Sequence, residues 1–308
     1  MIWRVLFAFQ MRYSTRPMKV LLQISLVMLV ASAAQAQILV ELKFKRFQYV
    51  AHEPVTATVK ITNLAGRDIE LANGKGERWF DFEVNADPGR LLAPITQDVS
   101  EAPLHLGSGK TVTRKFNLAA AFPVQDLGVY HVRANVYLAD LNRFFYSNAK
   151  VFHVTDARPI WQRAVGVPEG IPGASESRTY VLLSHHFPEY TSLYVRVEDK
   201  ERGIVYATYS LGHLMAFEEP QTQLDRANQL HVLHCTAPRT WSYSHIGLNG
   251  ELLGHSSFME TRTRPRLRQR SDGVVAVRGG RLDLLMVQSS VGQTSELPAP
   301  MTTLPAED

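Results

Sequence analysis

A run of alternating arginines is the feature of this sequence best suited to chemistry. Between residues 262 and 270 every second residue is an arginine, and Pro265 lies among them. In an extended strand, residues two apart point to the same face, so the guanidinium groups would lie about 6.6 Å apart. Guanidinium binds sulfate, phosphate and carboxylate groups through paired hydrogen bonds. The candidate polyanion-binding residues are Arg262, Arg264, Arg266, Arg268 and Arg270.

The same row of arginines has two structural interpretations, which the sequence leaves open. Acidic side chains on a neighbouring strand could neutralise the arginines within the protein. Alternatively, the charges and Pro265 could protect an exposed edge strand, because charged residues and proline discourage pairing with another chain. Polyanion binding and structural protection are therefore alternatives at this point.

Histidine and cysteine residues do not predict a metal site or a catalytic centre. Seven of the eleven histidines lie in the second half of the chain, but none has the spacing of a metal-binding motif. His231 and His234 would point to opposite faces of a strand, and Cys235 would share a face with His231 at about 13 Å. Cys235 follows Val232 and Leu233, which predicts a packed thiol rather than a nucleophile. We expect no metal ion and no cofactor.

Enzyme motifs are missing from the sequence as well. It contains no G-x-S-x-G nucleophile turn and no complete phosphate-binding glycine loop. Glycan hydrolysis would require two carboxylates about 5–10 Å apart across a cleft. Candidates for such a pair are Glu198, Asp199, Glu218, Glu219 and Asp225. The sequence therefore predicts no catalysis, and a glycan-binding or glycan-hydrolysing β-domain is the alternative.

Hydrophobic residues alternate with polar residues throughout residues 37–155. Segments such as residues 55–61 and 128–136 have period two, and turn residues interrupt the pattern every 8–14 positions. This pattern is typical of short antiparallel strands. About seven strands in roughly 120 residues predict a β-sandwich.

Two motifs in this region resemble those of a known family. Tyr49-x3-Glu53-Pro54-Val55 matches an entry into a second strand, and Leu127-Gly128-x-Tyr130-x-Val132 matches a strand near the end of a module. Residues 38–154 are thereby similar to the immunoglobulin-like sandwich modules of bacterial surface and periplasmic proteins. The resemblance implies a spacer, an adaptor or a binding platform, and it implies little about chemistry.

The second half of the chain is predicted to form another β-domain. Proline and glycine are frequent in residues 156–178, which predicts a linker, and short strands fill residues 179–287. Residues 224–280 resemble the repeats of a β-propeller as found in sialidases. About 110 residues would make two or three blades of 40–45 residues, fewer than the four that closure usually needs. A second small sandwich or barrel and a partial propeller-like array both remain open.

Residues 1–36 have the three parts of a signal peptide. A basic start with Lys19 precedes an apolar run of about 11 residues, and Ala34-Gln35-Ala36 matches a cleavage site. Because this run is too short to span about 30 Å of hydrocarbon, cleavage and export are expected, and no membrane span would remain afterwards. An uncleaved N-terminal anchor is the alternative. Residues 288–308 are predicted to be a disordered tail.

The mature chain would have no net charge. The full sequence has 33 Lys and Arg against 29 Asp and Glu, and residues 1–36 contain four basic and no acidic residues. Removing them leaves 29 of each, so nothing favours a nucleic-acid partner. The single cysteine excludes an intramolecular disulfide. The sequence therefore predicts an exported, all-β, non-catalytic module that binds an envelope protein or a polysaccharide.

Overall fold

The computed structural model describes residues 38–74, 76–95, 101–215 and 217–283. The described residues are 58% strand and 3% helix and form several antiparallel sheets, so the predicted all-β class is confirmed. In the described part of the chain, no helix is long and apolar enough to cross a membrane. The predicted signal peptide and C-terminal tail lie outside the described residues.

The first region contains two main sheets. One has the strand order β1-β3-β8, and the other has the order β2-β11-β9-β5-β6, with β10 also paired to β9. A short pair, β4-β7, lies apart from them, and one helical turn (Leu118–Ala121) follows β8. The strands are β1 (Ile38–Phe44), β2 (Gln48–Val50), β3 (Thr56–Asn63), β4 (Ile69–Leu71), β5 (Phe80–Ala86), β6 (Arg90–Leu91), β7 (Leu104–Leu106), β8 (Thr111–Asn117), β9 (Gly128–Leu138), β10 (Arg143–Tyr146) and β11 (Lys150–Thr155).

Alternating side chains build one hydrophobic core between these two sheets. In β3, Ala57, Val59 and Ile61 are buried, whereas the residues between them face outward. Alternate residues of β9 lie in the same buried cluster, which includes Val132 and Ala134. Burial of one such side chain contributes about 1.5–3 kcal/mol to folding. The arrangement is consistent with the predicted β-sandwich.

The second region also contains two packed sheets. Their strand orders are β12-β13-β14-β15 and β16-β17-β18-β19-β22, and β20 and β21 form a separate hairpin. The strands are β12 (Arg158–Gly166), β13 (Ser177–His186), β14 (Thr191–Asp199), β15 (Ile204–His213), β16 (Gln221–Leu224), β17 (Leu230–Ala237), β18 (Thr240–Ile246), β19 (Leu252–Met259), β20 (Arg266–Gln269), β21 (Val275–Arg278) and β22 (Arg281–Leu282).

Part of the segment predicted as a linker, residues 156–178, is in strand conformation. Residues 158–166 form β12, which pairs antiparallel with β13. Proline is tolerated in β12 because β12 is an edge strand, where a proline does not remove a needed hydrogen bond. Pro159 lies at a register shift beside Trp161, and Trp161 and Val165 pack against the core. The division into two domains itself stays a prediction.

The four-stranded sheet is covered on both faces. Residues on one face, such as Leu182 and Val195, pack against Leu230 and Val232 of the five-stranded sheet. Residues on the other face pack against the first region, in a cluster of Val50, Ala157, Val181, Leu183, Phe187 and Tyr194. The five-stranded sheet therefore turns only one face outward, and that face bears the candidate sites.

Candidate functional site

The β20–β21 hairpin lies on the outward face of the five-stranded sheet. Leu267 and Val275 are buried against Leu233, Cys235 and Trp241 of β17 and β18. Because side chains alternate along a strand, the residues on either side of Leu267 point to solvent. The hairpin thus has one apolar face on the sheet and one arginine-bearing face outside.

The structure separates the five predicted arginines into two groups. Arg264 forms ion pairs with Glu218 at 3.0 Å and with Glu260 at 3.4 Å, and its guanidinium lies over the ring of Trp241. Arg270 lies 3.4 Å from Asp272 in the hairpin turn. These two arginines therefore have acidic partners within the chain, and the three carboxylates lie in loops and a turn rather than on a neighbouring strand.

The other three arginines are exposed. Arg262, Arg266 and Arg268 have no ion-pair partner among the residues that the structure describes. Only Arg266–Gln269 are in strand conformation, so Arg262 precedes the strand and does not extend its row. Arg278, which the sequence did not single out, lies directly across the hairpin from Arg266. The exposed basic surface consists of Arg262, Arg266, Arg268 and Arg278.

A second group of side chains converges on the same outward face, near the end of β16. Nε2 of His231 and Nε2 of His245 lie 3.3 Å and 3.8 Å from Oδ2 of Asp225. The two imidazole rings stack at a centroid distance of 4.2 Å. One ligand atom from each residue lies within 4.8 Å of the other two, which is close enough for all three to hold a metal ion.

Three elements position this cluster. His231 in β17 and His245 in β18 are directly opposite in the antiparallel register, and Asp225 immediately follows β16. Nδ1 of His231 lies 2.7 Å from the hydroxyl of Tyr243, and Nε2 of His245 lies 2.8 Å from the amide oxygen of Gln229. Burial lowers the pKa of both histidines, and the carboxylate of Asp225 opposes this effect.

No protein-family model matches this chain, and no curated protein matches it.

The sequence missed the aspartate–histidine cluster because its three members are not adjacent along one strand. Along the chain, the chemical groups near His231 are His234 and Cys235 on the same strand. The structural partner of His231 is instead His245 on the neighbouring strand. The register of the β17–β18 hairpin is the feature that could have identified the cluster, because it places His231 directly opposite His245.

Three of the other predicted chemical groups, Cys235, Asp199 and Glu218, are buried or paired. Cys235 is buried, and burial raises the pKa of its thiol, which confirms the expectation of a packed cysteine. The carboxylate of Asp199 is buried, accepts two backbone N–H groups and lies 3.8 Å from Arg178. Glu218 is paired with Arg264. These contacts give no support to an acid–base pair for glycan hydrolysis.

Proposed function

We propose that the protein is an exported, non-catalytic binding module of the periplasm or cell surface, and that its arginine hairpin binds an anionic polymer. The location in this proposal rests on the predicted signal peptide. The binding role rests on one observation, the exposed pair of Arg266 and Arg278.

Like charges directly across a strand pair are destabilising. Arg266 and Arg278 are cross-strand partners on the exposed face of β20–β21, and Arg268 follows on the same face. None of the three has an acidic partner in the described part of the chain. Polymer-bound sulfate, phosphate or carboxylate groups would relieve this repulsion and accept charge-assisted hydrogen bonds.

The fold supports the role of a binding platform. An immunoglobulin-like sandwich has strands A, B and E in one sheet and C, F and G in the other. The three strands β1, β3 and β8 in one sheet and the three strands β5, β9 and β11 in the other have this arrangement. Tyr130 at the start of β9 donates a 2.7 Å hydrogen bond to the carbonyl of Asp126, as in the tyrosine corner of these domains. We therefore propose an immunoglobulin-like first domain.

Binding to immobilised heparin tests the proposal, because heparin is a sulfated polyanion. We expect the double variant Arg266→Ser with Arg268→Ser to weaken heparin binding at least about tenfold. The reason is that a hydrogen bond to a charged group contributes more binding free energy than one between neutral groups. Binding by the unchanged protein should also weaken as salt increases.

The matched control is Arg133→Ser with Arg163→Ser, which removes two exposed arginines elsewhere and changes the net charge equally. This control should bind heparin like the unchanged protein. An equal loss in both double variants, or no salt-sensitive binding by the unchanged protein, would contradict a site at the hairpin.

A further inference from the structure

The aspartate–histidine cluster has the dimensions of a metal site. Two ligand atoms of a tetrahedral zinc ion, each about 2.0–2.1 Å from the metal, are about 3.3 Å apart. The observed separations from Oδ2 of Asp225 are 3.3 Å to His231 and 3.8 Å to His245. An ion could therefore be held by the three side chains after small rotations.

The carboxylate of Asp225 is fixed before any ion binds. Its Oδ1 accepts hydrogen bonds from the backbone N–H groups of Ala227 and Gln229, both at 2.9 Å. These bonds direct Oδ2 toward the two imidazoles. A ligand that is already oriented loses little conformational freedom on binding, and this favours affinity.

The histidines are oriented as well. The side chain of His231 is almost fully buried, and the Tyr243 hydroxyl on its Nδ1 determines which nitrogen faces Asp225. Metal-ligating histidines usually have such a partner on the other ring nitrogen. Register holds His245 against His231, so both Nε2 atoms face the same carboxylate oxygen.

We propose that Asp225, His231 and His245 bind a divalent transition-metal ion of the zinc type. Two imidazoles and one carboxylate favour such an ion over Ca²⁺ or Mg²⁺, which prefer oxygen ligands. Three protein ligands leave one position of a tetrahedral ion for water or a further ligand. The amide oxygen of Gln229, 2.8 Å from Nε2 of His245, is the nearest candidate within the chain.

The hydrogen bonds of the cluster are the competing explanation of its geometry. Without an ion, Nε2 of His231 would donate to Asp225 and Nε2 of His245 to the amide oxygen of Gln229, and these bonds would simply attach the loop after β16 to the β17–β18 hairpin. This explanation predicts no stoichiometric metal binding. The two explanations therefore differ in a quantity that can be measured directly.

The experiment is a titration of the purified, metal-free protein with Zn²⁺ by calorimetry, and with Co²⁺ by visible absorption. We expect one Zn²⁺ per chain, and a Co²⁺ spectrum with the intensity of a four-coordinate site. His245→Gln and Asp225→Asn should each weaken Zn²⁺ binding more than about tenfold, and Tyr243→Phe by about 10- to 100-fold.

The matched control is His186→Gln, which removes an exposed histidine of the neighbouring sheet. It should bind Zn²⁺ like the unchanged protein, and circular dichroism should show that every variant is folded. Absence of stoichiometric binding by the unchanged protein would overturn the proposal. Undiminished binding by folded His245→Gln and Asp225→Asn would overturn it too, because the ion would then lie elsewhere.

Discussion

Glu53 shows how one residue of a sequence motif acts in the structure. Its carboxylate is only 7% exposed, accepts the backbone N–H of Val50 and forms an ion pair with Arg46. Arg46 also donates a 2.7 Å hydrogen bond to the hydroxyl of Tyr194 in β14. A buried charge requires such partners. The glutamate of the Tyr49-x3-Glu53-Pro54 motif therefore helps to join the first region to the second.

His234 is the residue with the clearest pH dependence. It is fully buried on the inner face of the five-stranded sheet, and neither ring nitrogen has a hydrogen-bond partner among the described residues. Burial lowers the pKa of His234 from 6.5 to about 4. Between these two pKa values, His234 binds a proton in the unfolded chain but not in the folded protein.

We expect the free energy of unfolding to fall as the pH falls from about 6.5 to 4. The unfolded chain gains a proton on His234 in this window while the folded protein does not, and the shift corresponds to about 3 kcal/mol. His234→Leu should flatten this dependence. Urea unfolding at several pH values between 4 and 7 measures it.

The control for this prediction is His153→Gln, an exposed histidine on β11. It should retain the full pH dependence of the unchanged protein. If His234→Leu loses as much stability between pH 7 and pH 4 as the unchanged protein, then protonation of His234 is not a cause of the loss.

At the scale of elements, the β20–β21 hairpin is a cover with two different faces. Leu267 and Val275 pack on the cluster that contains Cys235 and Trp241. The turn of the hairpin contacts the segment after β16, because Arg226 donates a hydrogen bond to the carbonyl of Ser271. The segment after β16 therefore carries Asp225 of the cluster and also contacts the hairpin that bears the exposed arginines.

We expect Leu267→Ala to loosen the hairpin and expose Cys235. Truncation of a buried leucine side chain lowers stability by about 2–5 kcal/mol. Each decrease of about 1.4 kcal/mol in the free energy of local opening increases the population of the open form tenfold. The single cysteine should therefore react at least about tenfold faster with a thiol reagent. The labelling rate under native conditions measures this.

Val274→Ala provides the comparison, since Val274 lies on the same hairpin and is 51% exposed. It should leave the labelling rate unchanged. Equal rates in Leu267→Ala and the unchanged protein would mean that Cys235 is protected by the sheet alone.

At the scale of the whole molecule, the two regions share an interface with both apolar and polar contacts. Phe187 and Leu183 of the second region pack with Val50 of the first. Arg196 donates a 2.8 Å hydrogen bond to the carbonyl of Ala51. Contacts of both kinds favour coupled unfolding of the parts that they join.

We therefore expect a single cooperative transition in thermal unfolding. Phe187→Ala should separate it into two transitions, because removing a buried phenylalanine side chain costs about 3–5 kcal/mol at the contact between the regions. Differential scanning calorimetry measures both results. Phe47→Ala, which truncates a side chain that is 63% exposed, should leave the single transition intact. Two transitions in the unchanged protein would show that the interface does not couple the regions.

The sequence by itself determined most of the elements of this fold. Alternation of apolar and polar residues is a local property, because strand geometry directs every second side chain to the same face. The pattern in residues 55–61 therefore predicted β3, and the residues before Cys235 predicted its burial. The same rule predicted that Arg266 and Arg268 share a face, and the structure shows both exposed.

Only the tertiary structure decided which of these residues meet. Strand register and sheet order depend on contacts far apart in the chain, which local periodicity does not specify. For this reason β12 forms where composition predicted a linker, since an edge strand tolerates proline. Glu218 neutralises Arg264 although 46 residues separate them, and His231 finds His245 across a hairpin. Local sequence determines the direction of a side chain, and the packed sheets determine its partner.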